Sequence, residues 1–186
     1  TIIGHFRHEI GHYYWDVLIQ DNISLLAEFR ALFGDERVNY SDALQNYYNA
    51  PDKNKGNHFI SYYASSHPWE DWAESWAHYL HMVDGLETAE AWGLSLSRAT
   101  PEAATLVASA LDLDSASVER SVIEQWLPIT QFGNAINRSL GLKDPYPFVV
   151  PPPVVAKLDF IHRIVSAARR GDFAMRFSPA VAQSAP

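Results

Sequence analysis

Apolar residues along this chain recur every three to four positions, the spacing that gathers them on one face of an α-helix. Phe6, Ile10, Tyr13 and Val17 trace such a face and predict a first helix over residues 3–18. Asp21-Asn22 has the chemistry of a helix start, and Ile23, Leu26, Ala27, Arg30, Leu32 and Phe33 carry a second helix that Gly34 stops. Ser41-Asp42 caps a short third helix through Asn49, and Pro51 ends it. The polar stretch 52–57 reads as an exposed loop. Pro68 suits a first helical position, with Ser66 or His67 near the cap. A strong helix is expected over 69–83, stopped at Asp84-Gly85, with a further helical stretch over 87–92. Pro101 opens another through Leu111. Asp114-Ser115 caps a long one over 116–140 that Pro128 kinks or divides and Gly141 ends. The proline-rich run 143–153 reads as an extended strap over the surface, followed by an amphipathic helix over 154–170. No internal repeat and no convincing strand is visible. The expectation is a mainly α domain over residues 1–176 and a frayed Ala-, Ser- and Pro-rich tail over 177–186.

Composition narrows the function classes. At 186 residues, with 47% hydrophobic and 19% charged, the chain can build a sizeable core. Six Trp, nine Tyr and nine Phe make that core largely aromatic. A net charge of −8 argues against a general nucleic-acid binder, which would show a basic patch. No apolar run is long enough to span a bilayer, and no signal peptide is visible. With no cysteine, any metal must be held by histidine and carboxylate. Absence of cysteine also fits a reducing compartment, so the expected location is cytoplasmic. The oligomeric state leaves no mark that can be read. The chain starts at Thr1 rather than Met and runs at once into its most informative stretch, which reads as a piece of a longer protein.

That stretch is His8-Glu9-Ile10-Gly11-His12. Two histidines four apart on a helix stand one above the other, about 6 Å along the axis, so both rings can reach one ion. The spacing His-Glu-x-x-His is that of zinc peptidases, in which the glutamate, here Glu9, acts as general base on a zinc-activated water. Gly11 costs helix propensity. It either lets another segment pack close to the metal or is simply tolerated.

A third ligand is needed for zinc. Glu70 and Glu74 lie four apart on the strong helix, beside a stripe of Trp69, Trp72, Trp76, Leu80 and Val83. Read alone, they are ordinary exposed helix residues. Beside three tryptophans they become buried carboxylates in need of a partner, and a zinc ion with its two histidines supplies one. One carboxylate would bind the metal, and the other would accept a histidine N–H and fix that ring.

The two stretches together resemble the gluzincin class of zinc peptidases. That resemblance implies that Glu70 is the ligand and Glu74 the residue that orients a histidine. More closely, the runs 7–16 and 70–81, with Asn137-Arg138-Ser139-Leu140-Gly141 and Tyr146-Pro147-Phe148, resemble a bacterial family described as "putative zinc-binding metallopeptidases". The similarity extends to about Arg170. It implies a zincin-like catalytic domain, here without the β-sheet and the cysteine-rich segment that precede the metal helix in such proteins. A weaker parallel is with the catalytic domain of anthrax lethal factor, where a tyrosine seven residues before the ligand glutamate helps to stabilise the oxyanion. At that offset stands Tyr63; Tyr62, Tyr13, Tyr14 and Tyr79 are further candidates. The expected function is zinc-dependent hydrolysis of a peptide or protein substrate, with one Zn2+ held by His8, His12 and Glu70. The alternative is a zinc-binding helical protein without catalysis, or a partner-binding module. Among the remaining histidines, His5 reads as a satisfied core residue and His67 as a cap. His78 and His81 read as structural or surface, and His162 as a distant candidate for transition-state stabilisation. Asp16 is placed to orient a ligand histidine.

Overall fold

A computed structural model describes residues 1–49, 56–97 and 105–172. It is mainly helical. Helix α1 spans Ile2–Leu18, α2 Ile23–Phe33 and α3 Tyr40–Asn49. A single 3-10 turn, Tyr63–Ser66, leads into the long central helix α4, Pro68–Ala91. Asn22 starts α2 by accepting the Leu25 N–H at 3.1 Å, and Gly34 ends it at φ +103°, where an L side chain would be strained. The α4 cap is His67, whose Nδ1 accepts the Trp69 N–H at 3.1 Å while Nε2 donates to the Val38 carbonyl at 3.0 Å. Pro68 then takes the position where no N–H is required.

Helix α4 does not stop at Asp84-Gly85, as the sequence pattern predicted, but runs unbroken to Ala91. Gly85 is there for space: a Cβ on it would fall 2.4 Å from the Trp126 ring. The expected helix opened by Pro101 is also corrected. Its start lies outside the described residues, and its middle pairs instead in a short antiparallel hairpin of β1, Ser95–Leu96, and β2, Leu106–Val107. Ser95 faces Val107, Leu96 faces Leu106, and the hydroxyls of Ser97 and Thr105 meet at 2.9 Å. Two-residue strands are too short to show a period of two. The long helix after Asp114 is divided into α5, Glu119–Ser121, a π turn, Val122–Trp126, and α6, Leu127–Ser139. Pro128 brings no N–H to the carbonyl four residues before it, and the widened turn just upstream accommodates that loss. The strap comes next, and α7, Pro152–Arg170, closes the described chain; the expected tail from 177 lies outside it. No described helix is long and apolar enough to cross a membrane.

The core forms where α1, α2 and α7 press on α4. Trp72 is fully buried, edge-on to Phe29, Phe33 and Phe160, and Trp15 packs edge-on to Phe29 and Trp69. Edge-to-face rings add roughly 0.5–1.5 kcal/mol per pair beyond the area they bury. One charged pair sits inside: Lys157 of α7 donates to Asp71 of α4 and to the His58 carbonyl, each at 2.6 Å. Its ammonium also lies 4.6 Å from the centre of the Phe59 ring.

Candidate metal centre

Helices α1 and α4 meet at Gly11. A Cβ there would lie 3.0 Å from the Ala73 Cα and 3.1 Å from the Trp76 Cβ, so the missing side chain sets how closely the two helices approach. The Gly11 carbonyl also accepts the Trp72 indole N–H at 2.8 Å, which fixes rotation and register of one helix on the other. Of the two readings of Gly11, close packing is the one observed.

This crossing places the first turn of α4 against both histidines of α1. His8 Nε2 stands 3.2 Å from His12 Nε2 and 3.0 Å from Glu70 Oε2, and His12 Nε2 stands 3.6 Å from the same oxygen. The His8 ring is turned by Glu74, whose Oε1 accepts Nδ1–H at 2.8 Å. In a neutral His8 that leaves Nε2 as a bare lone pair. Glu70 is 1% exposed, and its Oε2 has no hydrogen-bond partner, because neither histidine nitrogen meets it in hydrogen-bond geometry. Two imidazole nitrogens, within hydrogen-bond distance of each other, and one buried carboxylate oxygen therefore converge on one place. Without a cation such an arrangement is costly. For ligands about 2.05 Å from a tetrahedral zinc, neighbouring donor atoms should be about 3.3 Å apart. The observed 3.0, 3.2 and 3.6 Å bracket that value. The donor set of two imidazoles and a carboxylate suits zinc and leaves a position open for water.

The surrounding residues prepare the same charge distribution. Tyr40, reaching over from α3, donates its hydroxyl to Glu70 Oε1 at 2.6 Å. Burial alone would raise the Glu70 pKa, but the nearness of His12 and His8 and the Tyr40 hydrogen bond hold it well below the carboxylate range. Glu74 is likewise held down, against its burial, chiefly by His8. Burial pushes the His8 imidazole down, yet Glu70 and Glu74 outweigh it and raise His8 to about 9. Tyr40 is pushed up to about 12 by burial and by Glu70, and burial lifts Tyr63 further still, so both remain hydroxyl donors at any ordinary pH.

The site opens into a cavity of about 440 Å³ lined by His8, Glu9, His12, Asp16, Tyr40, Tyr63 and Glu70, with Trp15 and Trp69 behind. Glu9 projects from α1 into solvent at its mouth. Tyr63 lies with its ring centre 5.9 Å from that of His8. All six residues expected at the site from the sequence, His8, Glu9, His12, Tyr63, Glu70 and Glu74, are thus brought to one place. Other histidines are elsewhere. His5 is exposed on α1 rather than in the core, its ring 6.4 Å from that of His8. His81 receives Arg7 at 2.6 Å, and His78 meets the Tyr146 hydroxyl at 2.8 Å. His162 is fully buried among Tyr79, Ser115 and the core and does not line the cavity. Two residues went unread in the sequence. Tyr40 gives no periodic signal. Lys157 did give one, because it falls on the apolar face of α7 with Val154, Leu158 and Ile161.

Comparison with known proteins agrees with this geometry. A family model described as "Putative zinc-binding metallo-peptidase" matches residues 1–164. The uncharacterized proteins Rv2568c of Mycobacterium tuberculosis and Mb2598c of Mycobacterium bovis are each 44% identical over 166 residues, covering 89% of this chain and 46% of their own. The chain thus spans about half the length of these curated relatives. No solved structure matches it significantly.

Proposed function

This chain belongs to that "Putative zinc-binding metallo-peptidase" family, and on that premise we propose that it hydrolyses peptide bonds at one zinc ion held by His8, His12 and Glu70, within a zincin-like catalytic domain. The observation that carries the reading is the convergence of two imidazole nitrogens and one buried carboxylate oxygen at zinc spacing beside Glu9. Zinc supplies Lewis acidity, polarising the scissile carbonyl and acidifying water. The rest of the chemistry belongs to the chain. Glu9 takes a proton from the attacking water as its oxygen bonds to the carbonyl carbon. Tyr63, whose hydroxyl keeps its proton, donates to the carbonyl oxygen as that atom gains negative charge. Glu9 then delivers the proton to the leaving nitrogen as the C–N bond breaks. Glu74 holds the His8 ring so that Nε2 faces the metal, and Tyr40 holds Glu70.

The test is Glu9→Gln. This variant is expected to retain zinc at wild-type stoichiometry by metal analysis while cleavage of a blocked peptide library, read by mass spectrometry, falls at least a hundredfold. Undiminished cleavage would remove Glu9 from the mechanism. Zinc-loaded wild-type protein that cuts no peptide would leave the alternative of a zinc-binding helical protein without catalysis.

A further inference from the structure

A second and larger cavity, about 940 Å³, continues from the first and shares His8, Glu9 and Tyr63 with it. Ala77 of α4 forms one wall, Trp126, Ile129 and Gly133 another, and Tyr146 and Phe148 of the strap close the third. Its lining is mostly apolar, and no lysine or arginine contributes to it among the described residues. Glu9 and Glu74 stand at the end nearest the metal centre.

The third wall is locked in place. Asn134 pairs with the backbone of Tyr146 twice, donating to its carbonyl at 2.7 Å and accepting its N–H at 3.0 Å. The Tyr146 hydroxyl meets His78, and Phe148 lies edge-on to the His78 ring at 4.4 Å. Trp126 packs edge-on to Tyr146 at 5.0 Å. A groove formed this way loses little freedom when filled, so the apolar contact it offers is expressed in full as binding. Gly133 leaves the groove deep, because a Cβ at that position would meet no atom within 4 Å.

Resting on the peptidase reading above, we infer that this groove is the subsite for a large apolar side chain, aromatic above all, next to the scissile bond. A substrate with its reacting carbonyl beside His8 and Glu9 has the adjoining groove within reach of its neighbouring side chain. The rings of Trp126, Tyr146 and Phe148 offer faces and edges to an aromatic guest. Acidic side chains would meet Glu9 and Glu74 at the end where the substrate carbonyl lies and would find no lysine or arginine among the described lining residues. The substrate class is therefore peptides with Phe, Tyr, Trp or Leu at that position.

The experiment uses the full-length zinc-loaded protein and a pair of blocked peptides that differ only by Phe or Ala at the position the library selects. The ratio of kcat/KM, Phe over Ala, is expected to exceed about tenfold, the usual worth of filling an apolar pocket. Gly133→Leu projects into the groove from a position where a Cβ meets no neighbour and gains helix propensity, and it should cut that ratio about tenfold, with Gly133→Ala intermediate. Cleavage of both peptides at one rate, or a ratio unmoved by Gly133→Leu, overturns the subsite while leaving the peptidase standing. If nothing is cleaved, the peptidase reading fails, and tryptophan fluorescence titration of the same two peptides decides the groove. Tighter binding of the Phe peptide, weakened by Gly133→Leu, supports it, and equal binding overturns it.

Discussion

Glu70 and Asp71 are consecutive residues of α4, both essentially without solvent exposure, and they meet different partners. Asp71 points into the core and meets a cation that is covalently part of the protein, the Lys157 ammonium, at 2.6 Å. Glu70 points to the cavity and meets histidine nitrogens and a tyrosine hydroxyl, with no lysine or arginine beside it among the described residues. Equal burial thus conceals different roles. The core pair joins α7 to α4 through one Asp71 oxygen, although burial still pushes the Asp71 carboxyl up to about 7 against Lys157. The site carboxylate converges instead with two histidine nitrogens, a group that could hold a metal ion.

The sharpest way to break this comparison is Glu70→Ala, which should abolish zinc retention while leaving helical circular dichroism unchanged; full zinc content in the variant would refute the contrast. Next comes Lys157→Met, which strands Asp71 and should lower urea unfolding free energy by about 3–5 kcal/mol with zinc stoichiometry retained. The double variant Lys157→Met/Asp71→Leu should regain most of that loss, and a double variant as unstable as the single one would mean the pair is not a closed unit. Smaller again, Glu74→Ala should weaken zinc affinity about 10–100-fold in chelator competition by freeing the His8 ring, with Tyr40→Phe having a lesser effect through Glu70. The smallest effect concerns an ion pair of ordinary type, Arg30–Glu36 near the end of α2. The Arg30 hydrogen bond holds Glu36 below its usual 4.5, so the stability it adds is complete above that value and disappears as pH falls through the folded-state value. The melting-temperature gap between wild type and Glu36→Gln should therefore be open at pH 7 and narrow progressively as pH falls below 4.5.

Legibility in the sequence tracked how local each interaction is. His8 and His12 need only one helical turn to meet, and Glu70 and Glu74 announce themselves by standing beside tryptophans on a single helix. Tyr40 joins the site through the path of the chain between α2 and α4, which no periodicity encodes. Gly85 looked like a helix end because its reason for being glycine, the ring of Trp126, is distant in sequence. Lys157 was legible in principle: a lysine in register with Val154, Leu158 and Ile161 on an otherwise apolar face calls for a buried anion. The hairpin of β1 and β2 was not, since two residues cannot display alternation.

The contact at Gly11 works as a fulcrum. It lies between His8 and His12 along α1 and against the turn of α4 that joins Glu70 to Glu74, so no lever arm separates the crossing from the donor atoms. Any widening of the gap between the helices reaches the site undiminished, whereas bending at their far ends hardly reaches it. Tolerance at this centre is therefore set by one glycine and one indole hydrogen bond.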